Sequence, residues 1–241
     1  MIASPPTADT LLHIEQIDTY IAGSHILQGV SFDVTRGETT VLLGRNGAGK
    51  STTLRSIMGL WPVANGSITL DGRELCGRPA YAIPREGVGF VPEDREVFVA
   101  LTVEENLKLA YRGGSDASSA IQKVYTLFPD LRAAKDRSAG AMSGGQQQML
   151  AIGRALMNPN RIVLVDEPTK GLFPAIVEQL VHIFAGLREE GETILLVEQN
   201  LEFAQRVGDR FFILDEGRIV HGGRMDDLEL QPELLRRYIG V

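Results

Sequence analysis

Three short stretches bring together residue types that handle phosphate. The run "GRNGAGKST" fits the pattern G-x-x-x-x-G-K-[ST] from Gly44 to Ser51. Its glycines allow the backbone N–H groups of Gly44, Arg45, Asn46, Gly47, Ala48 and Gly49 to turn toward one anion, and a helix starting there adds the positive end of its dipole. Lys50 is placed to hold β- and γ-phosphates as a point charge and the Ser51 hydroxyl to ligate Mg²⁺, with Thr52 counted among the nucleotide-binding residues. The second stretch, "RIVLVDEP", delivers Asp166 and Glu167 to the end of an apolar strand, where α/β sheets bind ligands. Asp166 suits anchoring of the Mg²⁺, through water, and Glu167 suits orienting and deprotonating an attacking water. In the third, "ILLVEQN", an apolar run stops at Glu198, Gln199 and Asn200. The weaker alternatives are a glycine-rich tight turn and an acid pair that caps the following turn. Together the three stretches point to binding and hydrolysis of a nucleoside triphosphate.

The elements around these residues follow from periodicity. "TTVLLG" is continuously apolar, as strands buried on both faces of a parallel sheet are, and the glycine loop and the helix "KSTTLRSIMGL" follow it. "LLHIEQIDTYIAG" and "HILQGVSFDVTRGE" alternate partly, with turns at Gly23 and "RGE", and predict a small antiparallel sheet. Hairpin turns are expected at Asp71 and Gly72 and at Glu216 and Gly217. From about residue 101 to 157 the reading is helical, over "TVEENLKLAYR", "SSAIQKVYTLF" and "SGGQQQMLAIGRALM", without a strand. The β/α pattern then resumes, with a helix from Pro174 to about Glu190 whose Ile176, Val177, Leu180, Val181, Phe184 and Leu187 share one face.

The chain has 241 residues, 44% of them hydrophobic and 23% charged, which suits one globular α/β domain. A flexible tail is expected over residues 1–10 and a single domain over 11–241, with residues 101–157 as a helical part. No apolar window reaches the roughly 18 residues of a membrane span, and the N-terminus does not read as a secretion signal, so a cytoplasmic location is expected. A net charge of −7 argues against a nucleic-acid partner. Cys76 is the single cysteine, and the four histidines show no metal-binding spacing, which excludes a disulfide framework and a cysteine-rich metal site.

At "MSGGQQQMLAIGRAL" the chain resembles a family. Ser143, Gly144, Gly145 and Gln146 at the start of a helix, lying in order between the phosphate loop and "VLVDEP", are similar to the signature motif of ATP-binding cassette (ABC) ATPases. The resemblance runs over nearly all of the chain beyond its first ten residues. It implies a P-loop NTPase cassette of α/β class, with a parallel core sheet, a small antiparallel β subdomain and a helical subdomain. It also implies ATP and Mg²⁺ as cofactors and a head-to-tail pair of cassettes, homo- or heterodimeric, in which each signature closes over the partner's nucleotide. "GVGFVPEDREVFVALTVEENLKLAY", "DEPTKGLFP" and "ILLVEQN" narrow the resemblance to ATPase subunits of branched-chain amino-acid importers and their relatives for urea and short amides. Such a subunit is peripheral on the inner face of the membrane and works with two transmembrane permeases and an extracytoplasmic substrate-binding protein. A cassette ATPase outside transport and a phosphoryl-transfer kinase are the alternatives.

Four positions depart from the general cassette pattern. Glu93 in "FVPED" stands where the family places a glutamine that meets Mg²⁺ and the attacking water, and a carboxylate can serve as a metal ligand there. Phe173 replaces an aspartate that faces the dimer partner, and Gln199 replaces a histidine aimed at the γ-phosphate. Gln199 can donate a hydrogen bond but cannot carry charge, so this site is expected to be the slower of a pair. The family's adenine-stacking aromatic falls, counting back from Gly29, at Ile21, and the neighbouring Tyr20 is assigned that role.

Overall fold

A computed structural model describes residues 9–228 and 232–239; the expected N-terminal tail lies, up to residue 8, outside the described residues. β1 (Thr10–Ile21) and β2 (Ser24–Thr35) are antiparallel and joined at Ala22 and Gly23, with φ of 47° and 84°. Two positive φ angles make a turn whose twist matches that of the strands. β3 (Thr39–Leu43) is buried at every position and runs into the glycine loop and α1 (Lys50–Ile57). β4 (Val63–Leu70) and β5 (Arg73–Glu74) form the hairpin expected around Asp71 and Gly72, and β6 (Val88–Val91) follows. A helical stretch then carries α2 (Val103–Ala110), α3 (Ser118–Leu127), α4 (Pro129–Ala133) and α5 (Gly144–Ala155). The β/α alternation resumes as β7 (Ile162–Asp166), α6 (Pro174–Glu189), β8 (Ile194–Val197) and α7 (Leu201–Val207). β9 (Arg210–Asp215), β10 (Arg218–Arg224) and α8 (Met225–Leu228) lead to two short helical turns over residues 232–239. No helix among the described residues is long and apolar enough to cross a membrane.

The strands form two sheets. One is antiparallel, in the order β2-β1-β4-β5, and the other has the order β10-β9-β3-β8-β7-β6 and is parallel except for β10. Along the parallel strands, alternate side chains enter opposite cores. Val41, Leu43, Val163, Val165 and Leu196 pack with Leu107, Val124, Leu150, Phe184 and Phe203 of the helices. Leu42, Leu164, Leu195 and Val197 pack with Leu12, Ile14 and Val30 of the antiparallel sheet and with Leu54 and Ile57 of α1. Burial on both faces explains why β3, β7 and β8 read as unbroken apolar runs.

Register then sets the site. Val197 lies opposite Leu42 on one side and Asp166 on the other, so β3, β8 and β7 end at one level and their following residues meet there.

The β9–β10 hairpin tip ties both sheets to the glycine loop: the Gly217 carbonyl accepts from Gln28 N–H at 2.8 Å, and its own N–H donates to the Ala48 carbonyl at 3.0 Å. Gly217 has φ of 76°, and a Cβ there would lie 2.1 Å from the Ile26 carbonyl oxygen, whereas at Gly23, with φ of 84°, a Cβ would meet nothing within 4 Å. Gly23→Ala therefore carries backbone strain alone, about 1 kcal/mol, and Gly217→Ala carries a clash as well, for a loss above about 2 kcal/mol. Urea denaturation of the two variants measures the difference; equal midpoints would mean that the hairpin tip shifts without cost.

Candidate functional site

The loop from Gly44 to Gly49 leaves β3 through backbone that only glycine tolerates at three points. Gly44, Gly47 and Gly49 have φ of 150°, 80° and 109°, and a Cβ on Gly44 would sit 2.2 Å from the Leu214 carbonyl oxygen. α1 starts at Lys50 with no side chain capping it, so its first N–H groups remain available. A cleft of about 460 Å³ opens over this turn. Asn46, Gly47, Gly49, Lys50, Ser51 and Thr52 line it on one side, Glu93, Glu167 and Lys170 on another, and Ile21, Ser24 and Ile26 at the end nearest the antiparallel sheet. Gly44 and Ala48 are buried beneath the loop, and the Arg45 guanidinium turns away to donate to the Arg237 carbonyl at 3.1 Å.

Lys50 is only 4% exposed. Its ammonium donates to the carbonyls of Gly44 at 3.0 Å and Arg45 at 3.2 Å and lies 3.5 Å from Glu167 Oε1. Burial pulls its pKa below the ordinary lysine range, while the nearby Glu167, Asp166 and Glu198 carboxylates oppose that. Phosphate oxygens are stronger acceptors for this ammonium than peptide carbonyls.

Asp166, at the end of β7, is fully buried and accepts from the Ser51 hydroxyl at 2.9 Å through Oδ1. Its Oδ2 is buried without a hydrogen-bond partner. Burial pushes its pKa up to about 6; the Ser51 hydrogen bond opposes this, and Glu167 and Glu93 add to it. An orphaned buried carboxylate oxygen beside a hydroxyl is a hard-oxygen donor set that fits Mg²⁺. Among the described residues no group of three or more His, Cys, Asp and Glu forms a metal cluster. A cation here would therefore share its ligands with phosphate oxygens and water, with Ser51, Asp166 and Glu93 as the protein side chains within reach.

Glu167 has φ of 45°, an unfavourable value for a side-chain-bearing residue, and its N–H is fixed on the Val197 carbonyl at 2.9 Å. That turn aims its carboxylate at Lys50 and at Gln199, whose side-chain amide donates to Glu167 Oε1 and to Asn46 Oδ1, the latter at 2.6 Å. Gln199 thus links the phosphate loop to the acid that follows β7.

Two contributors to this arrangement were not singled out by the sequence. Glu198, 2% exposed, accepts from Thr169 N–H and hydroxyl at 3.1 and 2.7 Å and from the N–H groups of Gln199 and Asn200 at 2.9 and 3.0 Å. Burial raises its pKa, and those four donors oppose the rise. Lys170 pairs with Glu93 at the mouth of the cleft. The abrupt change from apolar to acidic in "VEQN" was the available signal for Glu198; Lys170 had none, because its partner is 77 positions away.

Other expected site residues lie elsewhere. Ile21 lines the cleft, whereas Tyr20 is not among its lining residues; it pairs across the hairpin with His25 and stacks on it at 4.3 Å. The position reached by counting is therefore the one that faces the cleft, and the aromatic beside it is not. Ser143, Gly144, Gly145 and Gln146 start α5 outside the cleft. There Ser143 and Gln146 cap each other, with Ser143 Oγ accepting from Gln146 N–H at 3.3 Å and Gln146 Oε1 accepting from Ser143 N–H at 3.1 Å. A Cβ on Gly145 would crowd Ile176 at 3.0 Å, which explains that glycine by packing against α6.

With its folded pKa lifted from 3.8 to about 6, Asp166 costs stability while ionised, fully above pH 6 and not at all near pH 4. Asp166→Asn is therefore expected to stabilise the chain at pH 8 by about 1–3 kcal/mol, with the gain disappearing as pH falls toward 4. Thermal unfolding without nucleotide or metal across that range measures it, and a gain that does not change with pH would assign the effect to packing.

The family model described as ABC transporter matches residues 27–170. The chain is 43% identical to the high-affinity branched-chain amino acid transport ATP-binding protein BraG of Pseudomonas aeruginosa, over 95% of this chain and 100% of that one. It is 38% identical to the probable branched-chain amino acid transport ATP-binding protein LivF of Archaeoglobus fulgidus, over 90% of this chain and 93% of that one. Among solved structures, the ATP-binding subunit of an ABC transporter superposes with a TM-score of 0.80 at 32% identity, covering 93% of this chain and 94% of the other. A dimeric ATP-binding cassette in a post-hydrolysis state with ADP and Pi gives 0.80 at 25% identity, covering 89% and 99%. The chain therefore belongs to the ABC transporter family, as one of its ATP-binding cassettes with ATPase activity.

Proposed function

We propose that this cassette energises uptake of branched-chain amino acids, binding MgATP in the cleft above Lys50 and driving two transmembrane permeases fed by an extracytoplasmic binding protein. One observation carries the catalytic part of this reading: Lys50, Glu167, Gln199 and Asn46 form one connected group at the phosphate loop, with Ser51 and Asp166 joined beneath it. The triphosphate lies along the N–H groups of the Gly44–Gly49 loop and the start of α1, with Lys50 leaving its carbonyl partners for β- and γ-oxygens. Ser51, Asp166 and Glu93 would hold Mg²⁺, which would supply charge neutralisation for the phosphates. Glu167 takes the proton of a water aligned with the γ-phosphorus, and Gln199 holds that carboxylate in place and donates an uncharged hydrogen bond. The adenine end lies toward Ile21 and Ile26, making an apolar contact in place of an aromatic stack.

A second cassette completes the site. Ser143 to Gln146 lie outside their own cleft, which supports their use on a partner's nucleotide, and Phe173 is 81% exposed on the loop before α6, as a residue at a cassette–cassette face would be. The chain then sits peripherally on the cytoplasmic face of the membrane. The branched-chain assignment rests on the relatives BraG and LivF. Copurification of the tagged chain from membranes, with leucine-dependent ATPase activity of the complex, tests it; recovery of a soluble assembly without permeases would overturn it.

Glu167→Gln is expected to keep ATP affinity within about threefold while hydrolysis at this site falls by at least about 10²-fold. Turnover of a heterodimeric complex then drops only to the share of the second site. Gln199→His is expected to raise that turnover or leave it unchanged. Single-turnover hydrolysis and nucleotide binding in the assembled complex separate these effects, and complete loss of turnover from Glu167→Gln in one subunit would exclude unequal sites.

A further inference from the structure

We propose that Lys170 is a positioning residue that acts through Glu93, neutralising and holding the carboxylate that stands in this cleft where an uncharged amide would otherwise serve. The inference rests on the nucleotide reading above. Lys170 Nζ donates to Glu93 Oε1 and lies 3.9 Å from Glu167 Oε2, and all three side chains line the cleft. The pair closes the mouth of the site between two segments distant in sequence, the strand end after β6 and the turn after β7.

Three features make this more than a solvated surface pair. First, the cleft and its floor gather Glu93, Asp166 and Glu167, and the buried ammonium of Lys50 is already engaged by Glu167 and two carbonyls. Glu93 is a further negative charge on the lining of the cleft where a triphosphate must enter. Secondly, Lys170 is the ammonium that meets this charge directly. Thirdly, its backbone is fixed. Lys170 N–H donates to the Glu167 carbonyl at 3.2 Å, and the preceding Thr169 is held through N–H and hydroxyl by the buried Glu198. The ammonium therefore projects from a turn built on the proposed general base, and it can keep Glu93 directed into the cleft without adding net charge. With a neutral residue at position 93, the same ammonium would have no such task.

A double-mutant cycle tests this on the full chain. Lys170→Met, Glu93→Gln, the double variant and Lys170→Arg are compared for binding of a fluorescent ATP analogue in EDTA at low salt, and for kcat and KM with Mg²⁺. With Glu93 present, Lys170→Met is expected to weaken ATP binding and lower kcat by about two- to fivefold, the range of a partly exposed ion pair, with the binding loss shrinking at high salt. In the Glu93→Gln background the same change should alter either quantity by less than about 1.5-fold, and Lys170→Arg should restore both. Equal losses in the two backgrounds, or no loss with Glu93 present, would overturn the proposal. The side chain of Lys170 is 60% exposed, so circular dichroism melts of all variants are expected to coincide. Lys50→Ala separates the two readings. ATP binding that survives it would sink the nucleotide site itself, whereas its loss together with a silent Lys170→Met would sink only the role of Lys170.

Discussion

A buried ammonium must be answered, and most of this structure can be traced to how Lys50 is answered. At 4% exposure its charge is desolvated, and an unpaired charge in such a position is among the costliest features a fold can carry. The loop supplies two carbonyls and β7 supplies Glu167, so the same atoms that stabilise the lysine also define a place where phosphate is a better partner. The requirement extends outward. The loop can wrap the ammonium only with glycine at φ values of 150°, 80° and 109°, and it can approach β9 only where Gly44 has no side chain. Glu167 can reach it only from a left-handed backbone that the Val197 carbonyl holds in place.

That geometry depends on register. Because Val197 pairs with both Leu42 and Asp166, the three strand ends are level, and a one-residue slip would turn Asp166 from the floor of the cleft into the opposite core. Apolar side chains of alternate parity feed two separate cores, which fixes the register from both faces at once. The hairpin tip at Gly217 adds a third constraint by bonding the antiparallel sheet and the phosphate loop together. Packing far from the cleft therefore acts on its geometry through the position of a few strand ends.

What the sequence made legible follows the same physics. The glycine loop, the acid pair at the end of β7 and the unbroken apolar strands were readable because each reflects a strong local demand: positive φ, a charge at a strand end, or burial on two faces. The Asp71–Gly72 and Glu216–Gly217 turns were readable for the first of these reasons. Facing was not readable where the strand is irregular. β1 carries register shifts, one of them between Thr19 and Tyr20, and Gln16 has φ of 47°. Such bulges re-aim side chains, so residue type alone drew attention to Tyr20 while Ile21 faces the cleft. β6 is only four residues long and contains a glycine, too little for an alternating pattern, although it shapes the approach to Glu93. Glu198 and Lys170 escaped because their meaning lies in partners brought close by the fold.

The cleft also shows how two departures in side-chain chemistry can balance. Replacing a histidine by Gln199 removes a group that can carry positive charge, and placing Glu93 where an amide is usual adds a negative one. Both changes move the cleft toward negative potential, which opposes a triphosphate. The structure offsets them differently. Gln199 is a donor at every pH and spends its N–H groups on Asn46 and Glu167, so it restrains the acid without depending on protonation. Glu93 is met by the Lys170 ammonium, whose turn is anchored by Glu198. A charged side chain carried on a turn that the buried Glu198 anchors through Thr169 is pre-organised, so little order must be created when the nucleotide arrives. The fold thus restrains the acid after β7 with an uncharged donor and meets the carboxylate at the cleft mouth with an ammonium.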